Sequence, residues 1–189
     1  MNKVSIVSLI ACALAAPSVM ASHFDNVGSG KIFFNGTVSA NSCRIESGDE
    51  NKKVTLESVV NNNVKKDAAV NIQRFNIKID DCYISHGVRP VLQLAKMGRI
   101  STDGYMLNNL KGGASNAALM LMNAEGSKID LNGPLLQIKP DRGDRSKDDD
   151  DNEFTYSFKV GYIKPSELGE NYVTPGKIQT QLSYTIKYI

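Results

Sequence analysis

The apolar positions of this chain recur every second residue. From Phe154 they are Phe154, Tyr156, Phe158, Val160 and Tyr162, separated by Thr155, Ser157, Lys159 and Gly161. That is the period of an antiparallel strand with one face in a core and the other in water. The last segment repeats it: Ile178, Leu182, Tyr184, Ile186 and Tyr188 share a face with Thr180, while Lys177, Gln179, Gln181, Ser183, Thr185 and Lys187 take the other. The pattern predicts one long strand from Ile178 to Tyr188. Shorter strands are predicted over Val54–Val60, Val70–Asp80 (with Phe75, Ile77 and Ile79 on one face), Val88–Leu94, Ala117–Met122 and Ile129–Leu131. Turn residues fall between them at Asn61–Asn63, Lys111–Gly113, Asn123–Gly126 and Asn132–Pro134. No stretch sustains a helical stripe over three turns, although Ser58–Ala69 accommodates one short turn. Many short strands with regular turns predict a β-sandwich.

The N-terminus reads differently. Met1-Asn2-Lys3 is short and basic, Val4 to Ala16 is almost unbroken apolar sequence, and Val19-Met20-Ala21 places small residues where a signal peptidase reads. Residues 1–21 are therefore expected to be a signal peptide, and the chain is expected to be exported. Leu9-Ile10-Ala11-Cys12 resembles a lipoprotein processing site, but the apolar character continues past Cys12 to Ala21, as in an ordinary signal, so no lipid anchor is expected. Cleavage leaves 189 − 21 = 168 residues, enough for one domain that buries roughly 70% of the surface its unfolded chain exposes. No later window approaches the ~20 apolar residues that cross a bilayer as a helix. The mature chain opens on Gly28–Val38, a strand alternation punctuated by glycines that begins the chain instead of lying inside a domain.

Once Cys12 is removed, Cys43 and Cys82 remain, and an even pair in an exported chain reads as one disulfide joining an early strand to a middle one. No metal site is expected, because His23 and His86, the two histidines, stand in no ligand-like cluster with the cysteines. The formal net charge of +2 falls to +1 without Lys3, and the basic residues are scattered, which argues against nucleic acid as a partner. The charge is densest over Lys139–Glu153, which predicts a solvated loop. Within it Arg142-Gly143-Asp144 matches the integrin tripeptide, a sequence short enough to recur by chance, and the aspartate run lacks the glycine and glutamate spacing of a calcium loop. Catalytic signals are missing as well. Gly28-Ser-Gly-Lys31 has Asp25 where a phosphate-binding loop needs its first glycine and Ile32 where it needs Ser or Thr, and there is no Gly-x-Ser-x-Gly elbow. A non-enzymatic protein without cofactors is expected.

Several separated features together resemble the structural pilins of chaperone–usher fimbriae, the type 1 and P pilus class of Gram-negative bacteria. They are Gly30-Lys-Ile-Phe-Phe-Asn-Gly-Thr-Val38 followed by Cys43, and the second cysteine after Phe75-Asn-Ile-Lys-Ile79. Further along come Ala117-Ala-Leu-Met-Leu-Met122 with the Gly126 turn, Ile129-Asp-Leu131, and the terminal strand with Gly176 before it and Tyr188 penultimate. The resemblance spans essentially the whole mature chain. It implies an incomplete immunoglobulin-like β-sandwich that lacks its last strand and is completed by a donor strand from a neighbouring subunit. The implied organisation is a signal peptide over 1–21, a donor-strand extension over 22–36 and a pilin domain over 37–189.

The donor residues are then Gly28, Gly30, Ile32 and Phe34, which share one face, so that the large side chains fill groove pockets while Gly30 admits a close backbone approach. Gly176, Ile178, Leu182, Tyr184, Ile186 and Tyr188 form the strand that walls the groove and pairs with a chaperone, whose basic residues anchor the carboxylate of Ile189. The implied partners are other fimbrial subunits, identical or different, a periplasmic chaperone and an outer-membrane usher. The implied product is an adhesive filament on the cell surface, reached through the periplasm. The alternative is a monomeric exported β-sandwich that binds carbohydrate or peptide. Such a module would be complete by itself and present an aromatic platform, which a chain with no Trp supports poorly.

Overall fold

The computed structural model of the chain describes residues 31–38, 41–134, 136–144, 153–168 and 172–189, with backbone alone over 142–144. The predicted signal peptide, Gly28, Gly30 and the Asp148–Asp151 run lie outside those residues. The chain divides into a unit Met1–Thr37 and a unit Val38–Ile189. In the first, residues 31–37 have no regular structure, and Ile32, Phe33 and Phe34 are 79, 81 and 89% exposed.

The second unit contains, among the described residues, β1 (Ser42–Ile45), β2 (Val70–Tyr83), β3 (Pro90–Lys96), β4 (Met106–Leu107), β5 (Ala118–Asn123), β6 (Leu136–Ile138), β7 (Arg142–Asp144), β8 (Glu153–Ile163) and β9 (Leu182–Tyr188). One sheet runs β1-β2-β8-β5-β4, with β7 also on β8, and the other runs β6-β3-β9. Every ladder is antiparallel. The main core lies between the sheets: Ile77, Ile79, Leu119, Leu121, Tyr156 and Phe158 of the larger sheet meet Leu92 of the smaller one. Alternation along β8 explains its place at the centre, since Phe154, Tyr156, Phe158 and Val160 are all buried and Phe158 stacks on Phe75 with ring centroids 5.3 Å apart.

The disulfide joins Cys43 of β1 to Cys82 of β2, with Cα atoms 4.0 Å apart. Next to it the register slips between Ser42↔Tyr83 and Arg44↔Asp80. Asp81 takes up the extra residue in a left-handed conformation (φ 45°), as a β-bulge requires. Arg44 ties the bulge down, at 3.0 Å from Asp80 and 2.9 Å from Asp81.

Four predicted segments are corrected. Val54–Val60 alternates as predicted, with Val54 and Leu56 packed toward the core, yet among the described residues no ladder pairs it. Ile129–Leu131 is not a strand: Ile129 donates one backbone bond to Leu121 and Leu131 is buried. The terminal strand begins at Leu182, not Ile178, because Lys177 and Gln179 spend their backbone groups on the loop after β4. There Ala114 N–H donates to the Lys177 carbonyl, Asn109 N–H to the Gln179 carbonyl, and Gln179 N–H to the Asn108 side chain, each at 2.9 Å. Finally, the charged segment expected as a loop contains β7, whose Arg142–Asp144 backbone pairs with Thr155–Glu153. The edge of β8 beyond β5 offers unpaired backbone groups, and a charged segment at a sheet edge satisfies them without entering the core.

Candidate functional site

The sandwich is open along its last strand. Among the described residues β9 pairs on one side only, with β3, in the register Leu92↔Ile186, Leu94↔Tyr184 and Lys96↔Leu182. Beside β9 lies a hollow of about 610 Å³. One wall is Thr180–Tyr184 and the other is the unpaired segment Glu50–Leu56. Core side chains form the floor, among them Ile77, Leu92, Leu119, Leu121 and Phe158. A second hollow of about 270 Å³ is bordered by Ile178 and Gly176 and lined by Val59, Val64, Ala117 and Val173 of a smaller apolar cluster.

The strand beside the hollow is only partly covered. Leu182, Tyr184, Ile186 and Tyr188 of β9 are half-buried, although their alternation matches that of β8, where the equivalent positions are closed. Polar groups stand at the rim, with Glu50, Asn51, Lys52 and Lys53 along one wall. Among the described residues no group of three His, Cys, Asp or Glu is placed to hold a metal ion.

The predicted residues divide between two environments. Gly176, Ile178, Leu182 and Tyr184 border the hollows; Ile178, Leu182, Tyr184 and Ile186 pack against the main core, and Ile189 exchanges backbone bonds with Arg89 at 2.8 and 3.0 Å. Gly176 sits at φ 153°, and a Cβ there would lie 2.5 Å from the Ala114 nitrogen, so any side chain would force the Gly113–Ala114 crossing apart. Ile32 and Phe34 are exposed in the other unit.

Two residues of the site carry no periodic signal. Asn108, 7% exposed, binds the Ala114 and Lys177 carbonyls through its amide, each at 2.9 Å, and so shapes the approach to β9. Asp49, 4% exposed, accepts the Lys78 N–H at 2.8 Å and the Lys52 ammonium at 2.6 Å, and its carbonyl accepts the Tyr184 hydroxyl at 2.7 Å. Burial, then the nearby Asp49 and Glu50 charges, push the Tyr184 hydroxyl up to about 12. Burial also raises Tyr188, against a hydrogen bond from the Cys43 backbone that lowers it. The hollow is lined largely by apolar side chains and bordered by a strand that, among the described residues, is paired on one side.

The fold and this groove define a β-sandwich subunit of the pilin class, and the comparisons agree. The chain belongs to the Fimbrial protein family, whose profile matches residues 32–189. It is similar to the uncharacterized fimbrial-like protein YgiL of Escherichia coli (strain K12), 24% identical over 173 residues that cover 87% of this chain and 88% of that one. Its fold is similar to that in a chaperone–usher pilus structure concerned with rod uncoiling, with a TM-score of 0.59 at 19% identity over 86% of this chain and 97% of that one. It is also similar to the P pilus rod subunit PapA, with a TM-score of 0.56 at 18% identity over 78% of this chain and 99% of that one. The sandwich is thus an immunoglobulin-like pilin fold, and the chain is a structural fimbrial subunit of the cell surface.

Proposed function

We propose that this chain polymerises by donor-strand exchange in a chaperone–usher pilus: residues 22–36 of one subunit fill the groove along β9 of the next. The observation that carries the reading is the apolar hollow of about 610 Å³ floored by core side chains, in a chain whose N-terminal unit exposes Ile32, Phe33 and Phe34. An open apolar groove beside a free strand edge is an aggregation hazard, and so is an exposed apolar strand. Each is remedied by the other on a neighbouring copy. Gly28, Gly30, Ile32 and Phe34 form the face that enters, and Ile178, Leu182 and Tyr184 meet it.

Such addition is heterologous and non-closing, so it builds a filament. Because the incoming strand completes a core, its release requires partial unfolding, and the joint is kinetically stable. Before assembly a periplasmic chaperone holds β9 and the Ile189 carboxylate, and an outer-membrane usher passes subunits to the surface. The family is structural, and no chemistry at the groove is part of the reading.

The test compares periplasmic protein with and without Ser22–Asn35 by native mass and by SDS-resistant laddering. Heat-labile, SDS-resistant multimers from the intact chain alone are expected. Stable monomers from both forms would show a fold complete in itself and return the protein to the class of exported binding modules.

A further inference from the structure

We infer that Asn35-Gly36 is a deamidation site whose reaction runs in the unassembled subunit and stops when the N-terminal segment is taken up as a strand; the second half of the inference rests on the donor-strand reading above. The chain holds two Asn-Gly pairs, at 35–36 and at 132–133. Glycine after asparagine puts no side chain in the way of the ring that must close. Base removes the Gly36 amide proton, and the nitrogen attacks the Asn35 side-chain carbonyl carbon. The bond from that carbon to its own amide nitrogen breaks, and the leaving nitrogen takes a proton and departs as ammonia. Water then opens the cyclic imide at either carbonyl, leaving aspartate or, with the backbone rerouted through the side chain, isoaspartate.

Ring closure needs a glycine N–H that is not donating and a side-chain amide free to swing, and the two pairs differ in both. Asn132 is held: its amide nitrogen donates to the Ser101 and Thr102 carbonyls at 2.7 and 3.2 Å, and its oxygen accepts the Lys96 ammonium at 3.2 Å. Gly133 N–H donates to the Asp130 carbonyl at 3.1 Å. Asn35 and Gly36, by contrast, are exposed, lie in no strand or helix and make no hydrogen bond among the described residues. A Cβ on Gly36 would meet nothing within 4 Å. Strand uptake reverses that state, because a seated strand keeps its backbone extended and commits its N–H groups to ladders. Asn35 alternates with Ile32 and Phe34 and so faces away from the groove in the seated strand, where an aspartate is tolerated. Isoaspartate adds a carbon to the backbone itself, which breaks the pairing register at that point. The pair thus records the time a subunit spends unassembled.

The experiment incubates the full mature chain, as dilute monomers and as pre-formed SDS-resistant multimers, side by side at mildly alkaline pH. Both are digested at acidic pH, and the peptides carrying Asn35 and Asn132 are scored by mass spectrometry for amide against acid and by isoaspartate-specific methylation. In monomers the Asn35 peptide is expected to convert at least about tenfold faster than the Asn132 peptide, which reacts only from a locally opened state. Its conversion should also speed up with pH, as the Gly36 nitrogen is more readily deprotonated. In multimers conversion at Asn35 should fall by a similar factor, since the seated strand must first open. Asn35→Gln keeps an amide but requires a larger ring, and should stay unconverted in both forms. Equal conversion of Asn35 and Asn132 in monomers overturns the site, and equal conversion of Asn35 in monomers and multimers overturns its silencing. A chain that forms no multimers would instead refute the donor-strand reading, while the comparison within monomers still decides the site, so the two failures are told apart.

Discussion

Strand β8 is paired along both edges, with β2 on one side and β5 and β7 on the other, whereas β9 among the described residues is paired with β3 alone. Both carry apolar side chains at every second position. In β8 those side chains are closed off, with Tyr156 at 0% and Phe158 at 2% exposure; in β9 the corresponding row stays half-covered. Burial is set by neighbours, and alternation only says which side of a strand will accept them. A strand with the pattern of a core element but the environment of an edge marks a place where the fold expects something further. In this pilin the missing neighbour is, on our proposal, a strand of another subunit.

The largest test of this contrast removes a side chain from each strand. Phe158→Ala should cost about 3–5 kcal/mol, the usual toll for a closed aromatic core position. Leu182→Ala should cost about 1–2 kcal/mol in the unassembled chain, because it is only partly buried there, and more once a strand fills the groove. Denaturant unfolding of the chain with and without bound Ser22–Gly36 peptide checks both. Equal costs at the two sites, or no increase on filling, would break the comparison.

Next in size is the staple that fixes the first strand. Replacing Cys43 and Cys82 together by Ala should lower stability by about 2–4 kcal/mol, as expected for a loop of this length, measured as a shift in denaturant midpoint. β1 has only four residues, so the ladder to β2 should fray first, which hydrogen exchange over Ser42–Ile45 would show.

The smallest effects come from deleting one oxygen. Tyr156 in β8 buries its hydroxyl with no hydrogen-bond partner among the described residues, so Tyr156→Phe should be neutral or stabilise by about 1 kcal/mol. Tyr184→Phe should destabilise by about 1 kcal/mol, because that hydroxyl is bonded to Asp49. The same deletion takes opposite signs in the two strands. Alkaline pH sharpens the point. The Tyr184 hydroxyl is held up to about 12 in the folded chain, against ~10 unfolded, so its contribution is complete below pH 10 and is lost as pH rises from there toward 12. Unfolding midpoints measured across that range should fall less steeply in Tyr184→Phe; identical slopes would place Tyr184 outside the groove's stabilising contacts.

Much of this protein is legible in its residues. The alternations at Phe154–Tyr162 and Phe75–Ile79 locate the two long strands at the centre of the larger sheet, because side-chain period is a local property of the backbone. The cysteine pair is legible too, since two thiols in an exported chain have one pairing available. The short strands were not. Ser42–Ile45, Met106–Leu107, Leu136–Ile138 and Arg142–Asp144 are two to four residues long, too few for a period to show, and they exist because a neighbour offers unpaired backbone groups. Asp49 and Asn108 were equally silent, because a polar residue is buried only when distant groups converge on it.

The sequence by itself determined that the chain is all-β, which faces of its strands are apolar, and that Val54–Val60 and Ile178–Tyr188 have the character of strands. Tertiary structure alone decided which of those segments find partners: Lys177 and Gln179 are claimed by the loop after β4, and Glu50–Leu56 is left beside an open floor of core side chains. The physical reason is that alternation is written residue by residue, while a ladder and a groove depend on which segments the whole fold brings within hydrogen-bonding distance.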